Sequence, residues 1–203
     1  MLFRSTVEPN TLELLAELMA YPELSELILV GGTSLALQIG HRTSVDLDLF
    51  GSCDVQQIQD RLATKSEVST TVIQKSQNIL VSIINGIKVD FVNYGYSWLK
   101  LPVIEDNIRL ASKEDIAAMK INAITGRGSK KDFIDLYYLL NDFDLEEMIG
   151  LFLKKYPEGS RFLALKSLAY LDDAEKEEMP KMSHPISWTQ MKQTIREKHS
   201  QLI

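Results

Sequence analysis

The stretch LVGGTSLALQIGHRTSVDLDLF, residues 29–50, decides how the rest of the chain is read. Residues 27–30 form a short apolar run with the character of a buried strand. Gly31 and Gly32 interrupt it, and Thr33 and Ser34 open an apolar run over 35–39 of helical character. A strand, a glycine turn and a helix start offer backbone N–H groups and a positive dipole end to an anion. Asp46 and Asp48 follow, two residues apart, in Val-Asp-Leu-Asp-Leu. Alternate side chains of a strand share a face. Both carboxylates should therefore project together while Val45, Leu47 and Leu49 face the core. Adjacent like charges raise each other's pKa unless a cation lies between them. Mg²⁺ suits such a pair, because it takes carboxylate oxygens together with phosphate oxygens.

Each part of this stretch also has a plainer reading. A glycine pair marks many ordinary turns, and Thr33 and Ser34 could simply cap the helix. Aspartates are depleted in strands, so two among Val, Leu, Leu and Phe demand a reason beyond solvation. Arg42 and Ser44 precede them; Arg42 could meet a phosphate or pair with an aspartate. His41 reads as a solvated loop residue.

The whole chain sets bounds on what this stretch can do. Its 203 residues fit one large domain or two small ones, and a 45% apolar, 25% charged composition is ordinary for a globular protein. No apolar run is long enough to span a bilayer, and the N-terminus lacks a signal peptide's apolar centre, so no membrane partner is expected. The single cysteine, Cys53, excludes an internal disulfide and agrees with a reducing, cytoplasmic location. It reads as a small filler. The net charge of −6 argues against a positive sheath for wrapping nucleic acid. His184 and His199 have no spacing that suggests a zinc site.

Leucines at helical spacing over 10–20 predict a helix, with Asn10 as its cap and Glu13 three residues on. Residues 55–62 read as a short helix. Residues 68–74, 79–84 and 87–94 alternate as strands, the last two joined by Asn85-Gly86, a strong hairpin signal. A loop with Trp98 and Pro102 follows. From Ser112 onward the pattern is helical. Ser112 with Asp115, and Ser129 with Asp132, have capping-box form. Gly126 and Gly128 separate two helices, and 145–156, 161–171 and 188–199 supply three more. The expectation is an α/β (α+β) fold. A mixed-sheet core over 1–110 is followed by a helical region over 111–203, with a soft boundary.

A second group of charged residues lies in the helical half. Lys120 falls beside the apolar face made by Ile116, Met119 and Ala123. A lysine there needs an anion: a triphosphate, Asp132 or Asp135. Asp132 could also partner Ser129 at the helix start. Asp132 and Asp135 share a face with Leu139, which points both carboxylates inward. Lys130, Lys131, Lys154 and Lys155 are candidates for contacts to a nucleic-acid backbone, although charge runs on helices are usually solvated.

Residues 31–50 resemble the signature of the DNA polymerase-beta-like nucleotidyltransferase superfamily, a glycine turn followed about a dozen residues later by Asp-x-Asp. The closer resemblance is to the AbiEii/AbiGii-type nucleotidyltransferases, many of them toxins beside an antitoxin. It is carried by Gly31, Gly32, Thr33, Ser34 and Leu35, then Arg42, Ser44, Asp46, Asp48, Leu49 and Phe50. A later motif of that family is matched by Lys120, Arg127, Gly128, Lys131, Asp132, Asp135 and Leu136. Residues 168–175 and 180–188 also resemble segments near the C-terminus of such chains.

The resemblance implies Asp46, Asp48 and Asp90 as metal ligands and catalytic residues. Asp90 is the third carboxylate, in Ile-Lys-Val-Asp-Phe-Val; its plain alternative is a solvated pair with Lys88. It also implies that Gly31, Gly32, Thr33, Ser34, Arg42, Lys120 and Asp132 contact the nucleotide, with Lys120 catalytic as well. The helical region would then complete the active-site cleft. The implied cofactor is Mg²⁺, with Mn²⁺ as an alternative, and the substrate an NTP. The implied acceptor is RNA such as tRNA, and the implied partner a cognate antitoxin. Transfer to a small molecule or a protein, or a non-catalytic nucleotide-binding module, are the other functions the residues allow.

Overall fold

The computed structural model describes residues 1–64 and 69–202. The chain falls into two compact units, Met1–Gly95 with Pro102–Ala111, and Tyr96–Leu101 with Ser112–Ile203. The mixed α/β class expected from the sequence is the one found.

The first unit is built on a sheet whose seven strands, among the described residues, are β1 (Ile28–Leu29), β2 (Leu47–Gly51), β3 (Thr70–Lys75), β4 (Ile79–Ile84), β5 (Ile87–Asn93), β6 (Val103–Glu105) and β7 (Ile108–Leu110). Their order is β3-β4-β5-β2-β1-β7-β6. The β2–β5 and β1–β7 pairs are parallel, and the others antiparallel. Helices α1 (Pro9–Met19), α2 (Gly31–Ile39) and α3 (Val55–Ala63) belong to this unit. Leu15, Leu18, Leu29, Leu37, Leu47, Leu49, Val89 and Phe91 join in one buried cluster. Their alternation along β2 and β5 fixes the register, since a one-residue slip would turn every buried side chain outward.

Several local expectations are corrected. Helix α1 starts at Pro9 with Glu8 as its N-cap, so Asn10 lies inside it. Proline has no N–H to lose and a φ already set for the first helical position. Helix α2 begins at Gly31, and no side chain caps it. Thr33 and Ser34 are buried within it instead. Strand β2 begins only at Leu47, so Asp46 precedes the strand and Val45 is 54% exposed rather than in the core.

The Asn85-Gly86 turn has positive φ at both residues, 51° and 83°, as a two-residue hairpin requires. Of the strand read over 68–74, Val68 lies outside the described residues. The segment after Pro102, read as loop, holds the β6–β7 hairpin, turned by Asp106 and Asn107 at φ 52° and 62°. From β7, Arg109 donates to the carbonyls of Leu27 (2.8 Å), Leu24 (2.8 Å) and Met19 (3.2 Å).

The second unit contains α4 (Lys113–Gly126), α5 (Lys130–Leu139), α6 (Leu145–Lys155), α7 (Arg161–Leu168) and α8 (Trp188–Ser200). Ile116, Ile121, Phe133, Leu136, Met148 and Ile149 are among its buried side chains. Ser112 caps α4 by accepting from Asp115 N at 3.0 Å. The Asp115 carboxylate reaches back to the 96–101 segment, accepting from Leu99 N (2.9 Å) and Lys100 N (3.2 Å). Lys155 Nζ lies 2.7 Å from Asp115 Oδ1, both side chains are fully buried, and the ammonium sits 4.4 Å from the Trp98 ring centre. Lys155 is therefore not a nucleic-acid contact. Neither is Lys130, which is buried, donates to Glu175 O at 3.0 Å and faces the Trp188 ring. Lys131 and Lys154 are exposed.

Candidate active site

In the first unit the structure brings together the glycine turn, Arg42 and the carboxylates. Gly31 has φ +67°, a conformation that a side chain makes costly. A Cβ on Gly31 would stand 2.5 Å from Asp48 Oδ2, and one on Gly32 would collide with the Arg42 guanidinium. The two glycines are thus what lets one carboxylate and one guanidinium close on the start of α2. That helix start has no side-chain cap, so its first-turn N–H groups and positive dipole end suit an anion.

The segment between α2 and β2 is tied down by Thr33. Its hydroxyl bonds to the Asp46 carbonyl and pairs with Ser44 Oγ at 2.8 Å. Arg42 is buried and donates through Nη1 to Thr43 O at 3.0 Å. His41 is also buried, at 2% exposure, which corrects its reading as a solvated residue.

Asp48 and Asp90 are register partners on the parallel strands β2 and β5, so their side chains leave the same face of the sheet side by side. Asp90 Oδ1 lies 2.6 Å from the Lys88 ammonium; the Lys88 side chain is 44% exposed and that of Asp90 23%. Burial pulls the Lys88 pKa down. It is nevertheless raised overall, by the hydrogen bond to Asp90 and the charges of Asp90, Asp48 and Asp46. All three carboxylates therefore act on one ammonium. Lys88 is the residue whose place in this site the sequence reading undervalued; its signal was the alternation that puts it on the face of Asp90.

Among the described residues, no group of three or more His, Cys, Asp or Glu side chains stands ready to hold a metal ion. The donor chemistry still fits Mg²⁺, which usually binds through one or two carboxylates plus substrate phosphates rather than a full protein cage. The Lys88 ammonium shows that a cation is already stabilised beside these carboxylates.

The second unit holds the other predicted residues as a buried ionic cluster. Lys120 Nζ lies 3.0 Å from Asp132 Oδ1 and 2.7 Å from Asp135 Oδ2, with both aspartates fully buried. Arg127 donates to Asp132 through Nε (2.8 Å) and Nη2 (3.0 Å), and Ser129 Oγ donates to Asp132 Oδ2 at 2.8 Å. The inward direction read for both aspartates is the one found. Ser129 makes no side-chain cap to the backbone; its hydroxyl donates to Asp132.

Known structures share this fold. JHP933 from Helicobacter pylori superposes with a TM-score of 0.58 at 15% identity, covering 97% of this chain and 94% of its own. A candidate nucleotidyltransferase from H. pylori superposes at 0.57 and 15% identity, covering 97% and 99%. At such identity the likeness is one of fold, and the class it defines is the nucleotidyltransferase fold.

The family is shown by the sequence itself: residues 13–201 match the family "Nucleotidyl transferase AbiEii toxin, Type IV TA system". The chain belongs to that family and is a nucleotidyltransferase. A relative, the uncharacterized protein aq_aa25 of Aquifex aeolicus (strain VF5), is 37% identical over 161 residues, 75% of this chain and 77% of its own.

Proposed function

We propose that the protein is a Mg²⁺-dependent nucleotidyltransferase that moves a nucleotide from an NTP to an acceptor hydroxyl and releases pyrophosphate. The observation that carries this reading is the pairing of Asp48 with Asp90 on adjacent parallel strands, beside a glycine turn that opens a helix. Asp46 and Asp48 would hold the ion, with Asp90 as the third carboxylate. When bound, the ion neutralises charge on the triphosphate and on the leaving pyrophosphate.

The chain's own groups do the rest. The N–H groups of Gly31 and Gly32 hold phosphate oxygens, while the buried Thr33 and Ser34 support the turn, the Ser34 N–H donating to Val30 O, and Arg42 adds positive charge beside it. The acceptor oxygen attacks the α-phosphorus as the bond to the β-phosphate's bridging oxygen breaks. Asp90 draws off the hydroxyl proton.

Membership of the AbiEii family supports a toxin role with a cognate antitoxin, and the proposal adds a cytoplasmic location and RNA such as tRNA as the acceptor. The test is incubation with each NTP labelled at the α-phosphorus, Mg²⁺, and either total tRNA or protein lysate. Label on RNA is expected. Label on protein alone would overturn the RNA reading, and no transfer in any combination would overturn the proposed activity.

A further inference from the structure

We propose that Lys88 is a positioning residue that holds Asp90 in the metal-free protein and must release it for a divalent ion, so that ion and triphosphate enter together. The inference rests on the proposed metal site and concerns how that site is filled. Lys88 and Asp90 are alternate residues of β5, on one face, and the ammonium is 2.6 Å from Asp90 Oδ1. Asp90 is in register with Asp48 across the parallel pair. The ammonium therefore occupies one of the carboxylates on which the proposed ion site depends.

A solvated lysine–aspartate pair on a strand would ordinarily mean little. This one differs because Asp90 is the register partner of Asp48 on the parallel strand, so a second carboxylate leaves the same face beside the pair. A divalent ion entering among them meets a positive charge already in place. Lys88 is a flexible side chain with 44% exposure, so it can swing away without disturbing the sheet. Displacement costs the ammonium its carboxylate partner, and a triphosphate brought with the ion offsets that loss by supplying another anion. Nucleotide should then strengthen metal binding, and metal should strengthen nucleotide binding by the same factor.

The test is direct Mn²⁺ binding, read by electron paramagnetic resonance, for the wild type, Lys88→Met, Lys88→Gln and Lys88→Arg. Each is measured with and without a non-hydrolysable NTP analogue. Without nucleotide, Lys88→Met and Lys88→Gln should bind Mn²⁺ about tenfold more tightly than the wild type, a common size for coupling between two ligands. Their response to nucleotide should shrink, and Lys88→Arg should behave like the wild type. Unchanged nucleotide-free Mn²⁺ affinity in both uncharged variants, with nucleotide-dependent Mn²⁺ binding intact, would overturn the role of Lys88 and leave the metal site standing. No Mn²⁺ bound by any variant, with or without nucleotide, would overturn the metal site and this inference together.

Discussion

Gly31 and Asp132 are the two residues whose surroundings say most about what each must be. Gly31 combines a left-handed φ of +67° with a Cβ position 2.5 Å from Asp48 Oδ2. Gly31→Ala should therefore cost stability, about 1–3 kcal/mol in urea unfolding, and push Asp48 from its place. Nucleotide transfer should fall further than the stability loss explains. Asp132 is an acid whose burial alone would raise its pKa. The charge of Lys120, the hydrogen bond and charge of Arg127, and the Ser129 hydroxyl instead hold it at about 2 against an ordinary 3.8. A folded pKa below the unfolded one stabilises the fold above the unfolded value, and that contribution is lost as pH falls toward the folded value. The contribution should be about 2 kcal/mol near neutral pH and should disappear between about pH 4 and pH 2. Asp132→Asn should remove that acid-side slope, which urea unfolding across the same pH range would read.

At the scale of elements, the Asp115–Lys155 pair shows how α4, α6 and the 96–101 segment are fastened. Both side chains are fully buried, and Asp115 also accepts two backbone N–H groups. Lys155→Met would leave Asp115 charged and buried, and should cost about 3–5 kcal/mol in a denaturant titration. Little or no change would mean that the buried pair only breaks even against its own desolvation.

This pair was partly legible in the sequence. Lys155 follows Met148 and Phe152 at helical spacing, which marks the buried face, but its place in a Lys-Lys run suggested solvent. The Asn85-Gly86 hairpin was legible because its turn chemistry is local. The β6–β7 hairpin was not, because three-residue strands carry too little alternation and Asp106-Asn107 lacks a glycine. Asp46 and Asp48 stood out by their spacing, although Asp46 precedes β2 rather than lying in it, and Asp90 stood out only through the family resemblance. The packing of Arg42 on Gly32 and of Asp48 on Gly31 was not, since it depends on contacts between α2, β2 and the segment joining them.

At the scale of the whole molecule, a net charge of −6 sits beside a local site that gathers Arg42, Lys88 and a helix N-terminus around three aspartates. Overall charge and local chemistry thus point in different directions, and in the proposed function the local chemistry serves the nucleotide donor. No described helix is long and apolar enough to cross a membrane. The family supplies the activity class, and the first unit supplies the groups that the proposed chemistry needs. The central claim is that Asp46 and Asp48 hold the ion on which transfer depends. The most direct measurement is transfer from an NTP labelled at the α-phosphorus, comparing the wild type with the Asp46→Ala, Asp48→Ala double variant, each checked for native circular dichroism. Transfer should fall about a thousandfold or more in a variant that remains folded; wild-type transfer by that variant would contradict the claim.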